Sequence, residues 1–307
     1  MGFIFTLTTL LAWGGADLFY KKGADEADKY SHLKTAMMVG IVMGIHALYT
    51  LIKNGFQFNP INLLVYLPVS AMYILSMVVG YFGLRYLELS ISSPIQNSSG
   101  AVCCILCLVI LGEKISGLSA VGVILICLGL LCLGILEKSD ADKLTKINQK
   151  KYKIGFIAII IPVIYCILDS LGTFFDAYYL DDATTTPLKG VTVDTLEDTA
   201  NMSYEFSFLI CAVLIFIFLY FVKKEKFRLP EQKDRTIAAV LETAGQATYV
   251  YAMSANAAIA APAISAYSIV SLILSRLFLK EKLSKWHYMV IAVVIIGIAV
   301  LGFADEM

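Results

Sequence analysis

Residues 94–137 return 168 positions later, without a gap, as residues 262–305. Pro94 falls on Pro262, Leu111 on Leu279, Glu113-Lys114 on Glu281-Lys282, Ser116 on Ser284, Gly129 on Gly297 and Gly134 on Gly302. Each copy is two long apolar runs joined by a short charged turn, which is the pattern of a hydrophobic helical hairpin. A repeat of this kind constrains the fold more than any other feature, because one hairpin design has to be built twice in the same molecule. Runs of about 20 apolar residues also match the ~30 Å of hydrocarbon that a helix rising ~1.5 Å per residue must cross.

Ten such runs are legible, at 3–20, 36–52, 63–87, 91–111 and 118–136, then 154–175, 204–222, 236–255, 259–279 and 286–303. The first has no basic leader and no small-residue cleavage site after it, so it reads as a retained helix. The expected fold is an all-α membrane protein of ten transmembrane helices. It divides into a first five-helix unit (1–137), a cytoplasmic linker (138–153) and a second five-helix unit (154–307). Because five is odd, the second unit crosses the membrane in the opposite sense, giving two inverted five-helix repeats, an architecture found in secondary carriers. The second unit carries about fifteen extra residues, placed in an acidic, Thr-rich outward loop at 176–205. Composition agrees: 59% of residues are apolar and 16% charged. A net charge of zero argues against the electrostatic footprint of a nucleic-acid partner. All seven cysteines lie in apolar runs, which argues against a disulfide framework.

Lys and Arg collect on the cytoplasmic side of membrane proteins. With ten spans, 21 of the 24 basic residues fall on one face, leaving Lys53, Lys114 and Lys189 on the other. Both termini and the acidic loop therefore face outward, in a multi-pass protein of the cell membrane.

The chain resembles the drug/metabolite transporter superfamily in its EamA-like branch. The resemblance rests on Ala12-Trp13-Gly14 with Lys21-Lys22 closing the first helix, on the Ser93-Pro94 and Ala261-Pro262 entries to helices four and nine, and on the turns at 112–116 and 280–284. It covers essentially the whole chain. It implies a central cavity lined by helices one, three, four, six, eight and nine, with five and ten at the periphery. Helix six departs from the pattern, with Cys166-Ile167 in place of a Trp-Gly pair.

A charge in hydrocarbon costs several kcal/mol unless it meets water or a partner, so ionisable residues inside the spans carry the chemistry. Asp17, about 21 Å from the outer end of its helix, and Asp169, about 22 Å from the inner end of its own, occupy nearly equivalent repeat positions. Trp13, Asp17 and Tyr20 form one helical stripe; Tyr165, Asp169 and Thr173 form another; Glu242, Gln246 and Tyr249 form a third. Facing a cavity, these acids would bind a cationic amine against the aromatic faces of Trp13, Tyr73 and Tyr249, or exchange a proton at Glu242 or Asp169. Turned elsewhere, each would be satisfied by a structural hydrogen bond or, for Asp17, by nearby Lys21. Asn97 and Ser268 are either cavity-lining or packing residues, and Arg276 is an interfacial snorkelling residue. Cys103 and Cys107 share a face, but without clustered His or carboxylate they make no metal site. His46 stands alone in helix two, no catalytic pair is visible, and no ATP-binding loop is present. Glycines in helices five and ten suit close packing, within the chain or across a homodimer.

The expected function is that of a secondary active transporter, not an enzyme. It moves a small polar or amphipathic metabolite by alternating access, with proton coupling as the leading mode. It needs no cofactor and no partner beyond small-molecule substrate and membrane lipid. The alternatives are a flippase for lipid-linked head groups and a receptor using the acidic outer loop.

Overall fold

The computed structural model describes residues 2–305 apart from Glu26, Phe56, Leu87, Glu88, Ser116, 148–154 and Lys226. Among the described residues every regular element is a helix: α1 (Gly2–Gly23), α2 (Ser31–Lys53), α3 (Ile61–Val65), α4 (Leu67–Gly83), α5 (Leu89–Gln96), α6 (Ser99–Leu106), α7 (Gly117–Ile147), α8 (Gly155–Leu180), α9 (Leu196–Ile217), α10 (Lys233–Ala255), α11 (Ala257–Ser265), α12 (Tyr267–Leu274) and α13 (Lys285–Asp305). Of the expected linker, the backbone is helical to Ile147 as the end of α7, and the rest lies outside the described residues. Seven stretches of the described chain are long and apolar enough to cross a membrane. The expected third run divides into α3 and α4 at Tyr66, just ahead of Pro68 in the first turn of α4. The fourth is broken between Gln96 and Ser99. The eighth is α10, which is long but polar, with Arg235, Glu242, Thr243 and Gln246 buried.

Large apolar side chains face outward around the whole molecule, among them Ile4, Leu11, Ile45, Leu131, Phe221 and Phe303. Water would not tolerate a girdle of that extent on a monomer; lipid does. Four helix pairs form the frame: α1 with α10, α2 with α9, α4 with α8 and α7 with α13. All four are antiparallel. Gly2 of α1 meets Ala255 and Gly23 meets Arg235, while Gly40 of α2 meets Phe208 and Asn54 donates to Asp198 (2.9 Å). Gly80 of α4 lies against Tyr165 and Gly172 of α8 against Tyr73. Gly122 of α7 touches Gly297 and Leu301, and Gly129 touches Val294. The glycines of α7 and α13 thus serve packing inside the chain, where their missing side chains let the two backbones approach.

The sequence repeat is also a backbone repeat. A π-type turn over Cys107–Leu111 ends in left-handed Gly112, and a second over Ser275–Leu279 ends in left-handed Lys280. The glutamates of the charged turns that follow point inward. The Ala258 N–H donates to Glu113 Oε2 (2.9 Å), and the Leu89 N–H donates to Glu281 Oε1 (3.1 Å). Each glutamate therefore caps the first turn of the helix belonging to the other hairpin, where orphan N–H groups and the helix dipole favour negative charge.

The acidic loop is shorter than the sequence suggests. α8 continues to Leu180 and α9 begins at Leu196, so Asp176 and Glu205 are helical and buried, leaving 181–195 as loop. Burial of one apolar face extends both helices past their polar residues. The loop is tied to α3 by a reciprocal pair, with the Lys189 N–H donating to Asn62 Oδ1 (2.7 Å) and Asn62 Nδ2 to the Lys189 carbonyl (3.0 Å).

Candidate functional site

Two helices break at equivalent repeat positions, one between α5 and α6 at Asn97-Ser98 and one between α11 and α12 at Ala266. Broken helices inside a membrane are tolerated where they line a cavity, since their unpaired backbone groups then find water or cargo. A cavity of about 60 Å³ lies there. Its wall takes Trp13, Asp17 and Tyr20 from α1, Tyr73, Met77 and Tyr81 from α4, Tyr165, Asp169 and Thr173 from α8, and Glu242, Gln246 and Tyr249 from α10. Gln96 and Asn97 enter from one break, Ser265 and Tyr267 from the other, and Tyr204 comes from α9. The three stripes read from helical spacing converge on this one space.

Asp17 Oδ2 accepts from Ser93 Oγ (2.7 Å) and Ser271 Oγ (2.6 Å), joining α1 to both broken helices. Asp169 Oδ2 accepts from Ser99 Oγ (2.6 Å). Glu242 Oε2 accepts from Tyr20 (3.3 Å), and its backbone carbonyl accepts from Trp13 Nε1 (3.1 Å). Lys21 Nζ, the neighbour expected to satisfy Asp17, donates to the Leu84 carbonyl (2.7 Å). Among the described residues no Lys, Arg or His lines the cavity. Three carboxylates thus face it with hydroxyl donors and without a countercharge, which in a low-dielectric surrounding calls for a proton or a bound cation.

Aromatic layers close the cavity toward both ends. Toward the end of the molecule that carries the termini, the Tyr73 and Tyr249 hydroxyls meet at 2.8 Å, Tyr73 reaches Thr173 (3.0 Å), and Trp13 packs on Tyr249 (5.1 Å between centroids) and edge-on to Tyr267 (5.8 Å). One layer beyond, Tyr66 donates to Asp176. Toward the opposite end, Tyr20 packs on Tyr81 at 4.6 Å.

Ser268 is outside this lining. It is fully buried and its hydroxyl donates to the Ser265 carbonyl (3.2 Å), because the break at Ala266 presents Ser265 and Tyr267 to the cavity instead. His46 is not alone: its Nδ1 lies 2.8 Å from Glu205 Oε1, across the contact of α2 with α9. Tyr204, from a helix expected to stand away from the cavity, reaches it beside Tyr73, with ring centroids 5.6 Å apart. The Cys103 and Cys107 sulfurs are 3.7 Å apart as free thiols, and among the described residues no group of three His, Cys, Asp or Glu could hold a metal.

An apolar girdle around an acid-lined cavity, built on helices broken at its level, defines a helical membrane protein with an internal polar site. By sequence, the model of the EamA-like transporter family matches residues 1–135 and 197–303. The chain belongs to that family, within the drug/metabolite transporter superfamily, and is a multi-pass membrane transporter. No curated protein sequence matches it. One crystal structure superimposes with a TM-score of 0.65 over 99% of this chain and 97% of the other, at 11% identity, a likeness of fold.

Proposed function

We propose that this transporter is a secondary carrier, driven by a gradient, that moves a small polar or amphipathic metabolite through the central cavity by alternating access. Proton coupling occurs at Glu242 and Asp169. The observation that carries this reading is the set of three intramembrane carboxylates, Asp17, Asp169 and Glu242, that line one cavity with no basic residue on its wall among the described residues. An empty site of that kind holds protons, and arriving cargo displaces them into the water on that side. Trp13, Asp17, Tyr73, Asn97, Tyr165, Gln246 and Tyr249 contact the cargo in this reading. Ten spans in two inverted units, 1–137 and 154–307, are supported by the antiparallel packing of α2 on α9 and of α7 on α13, the pairs that an inverted repeat relates to each other. The aromatic layers on either side of the cavity are then its two gates, opening in turn. The cell membrane is the site of action, with the basic loops cytoplasmic.

Purified protein in liposomes loaded with a pH-sensitive dye, screened against amines, amino acids, sugars and nucleosides, should show proton movement with one class of cargo. Glu242→Gln and Asp169→Asn should each abolish it. Cargo movement with unchanged proton flux in both variants would reject coupling at these residues.

A further inference from the structure

The cavity carries more information than its polarity. Its charged groups are all acidic among the described residues, its hydroxyl and amide groups come from tyrosines, Thr173, Ser265, Gln96, Asn97 and Gln246, and its apolar wall includes Met77, Leu84, Ala261 and Ile264. An anionic or zwitterionic cargo would set its own carboxylate among Asp17, Asp169 and Glu242 with no Lys or Arg among the described lining residues to receive it. A cation meets the reverse situation. Its N–H groups find carboxylates and tyrosine oxygens as acceptors, and its charge finds aromatic faces.

The acids fall into two groups. Asp17 and Glu242 belong to the paired helices α1 and α10 and share the Trp13 and Tyr20 stripe. Asp169 stands on α8 and is held by Ser99. The serines that hold Asp17 and Asp169, Ser93 and Ser99, stand on opposite sides of the break at Asn97-Ser98. Two acidic poles held from opposite sides of one break suit a molecule with a cationic group at each end. Cavity size bears on the body between them, since 60 Å³ is well below the ~150 Å³ that admits a benzene ring. So small a space favours a body without rings or branches.

We infer that the cargo is a short linear aliphatic diamine. One ammonium group lies at the Asp17–Glu242 pole, the other at Asp169, and the methylenes run along the aromatic and apolar wall. This rests on the transport reading above, which it narrows to a class of substrate.

The test compares four molecules of one chain length on the purified full-length protein in detergent: butane-1,4-diamine, butane-1,4-diol, 4-aminobutanoate and succinate. Calorimetric titration and melting should show binding and stabilisation by the diamine alone. Glu242→Gln and Asp169→Asn should each weaken diamine binding by about tenfold or more, as expected for loss of a charge-assisted hydrogen bond. Should a variant fail to fold, the charge series on the unaltered protein decides by itself. Binding of the diol, the amino acid or succinate as well as the diamine, no binding of the diamine, or diamine binding indifferent to both substitutions would each overturn the inference. Liposome uptake of labelled diamine separates the two readings. Diamine that binds but is not moved refutes the carrier while leaving the site's chemistry standing; proton-coupled movement of another cargo without diamine binding refutes the diamine while leaving the carrier.

Discussion

Glu205 has no exposed surface, and its partner His46 is half-buried on the neighbouring helix. Replacing His46 with Ala leaves a buried carboxylate with one donor fewer and should destabilise the protein by roughly 1–3 kcal/mol, read as a lower melting temperature in detergent. Adding Glu205→Gln should recover part of that loss, because the amide needs no countercharge; a double variant less stable than His46→Ala would reject the pairing. Asp28, in the loop between α1 and α2, gives a pH-dependent counterpart. Partial burial disfavours its charge, but a hydrogen bond from Lys34 Nζ (2.9 Å), the Tyr30 N–H (2.9 Å) and the Arg235 guanidinium (3.7 Å) outweigh it and hold the carboxyl below its ordinary 3.8. Its contribution is therefore complete above the unfolded value and lost as pH falls through the lower folded one. Asp28→Asn should melt earlier than the unaltered protein at pH 6, with the gap closing as the buffer is taken below about pH 4; a gap independent of pH would exclude this origin. Intramembrane acids of the cavity were legible because Trp13-Asp17-Tyr20 and Glu242-Gln246-Tyr249 repeat at helical spacing. The His46–Glu205 pair was not, since it joins residues 159 positions apart and depends on which helices pack, a matter on which local periodicity is silent.

Among the elements, the two charged turns repay the closest reading. As sequence they are surface turns that happen to recur. Folded, Glu113 caps α11 and Glu281 caps α5, each hairpin closing the helix entry of the other. Removing such a cap costs about 0.5–2 kcal/mol. Glu113→Ala and Glu281→Ala should each lower the melting temperature, and because the two caps serve different helices the double variant should lose close to the sum. Gln at either position keeps an acceptor and should lose less. Alanine variants as stable as the parent would show that the contacts do not hold the helices. The recurrence of the turn was visible at once, whereas its partner was hidden, because a cap supplied from the other hairpin leaves no mark beside the residue that it serves. Breaks within the fourth and ninth apolar runs were hidden for a related reason. Asn97, Ser98 and Ala266 carry no obligatory breaker, so the unwinding follows from the cavity beside them, which Asn97, Ser265 and Tyr267 line.

For the whole molecule, the distribution of charge and the packing of the ends bear on the same question. The Phe3 ring lies against Gly302, close enough that a β-carbon there would meet it at 2.6 Å, so the first helix begins where the last one finishes and both termini share one end. At the other end Lys34 bridges Asp28 and Glu225 (2.9 and 3.0 Å), and Arg235 lies beneath Gly23. Packing alone makes the ends different without saying which faces the cytoplasm; the Lys and Arg bias supplies only an expectation of the sign. Charge in the sequence thus gives an expected orientation, while the small acid-lined cavity required the antiparallel pairing that brings α1, α8 and α10 together. A cysteine in place of Met307 should react with a membrane-impermeant maleimide added to intact cells, above the background of the unaltered protein. One in place of Arg228, on the exposed basic side, should react only after the membrane is opened. The reverse pattern would turn the molecule over in the membrane and exchange the roles of the two gates. It would leave the cavity and its acids unchanged, because neither half of an inverted repeat depends on which side it faces.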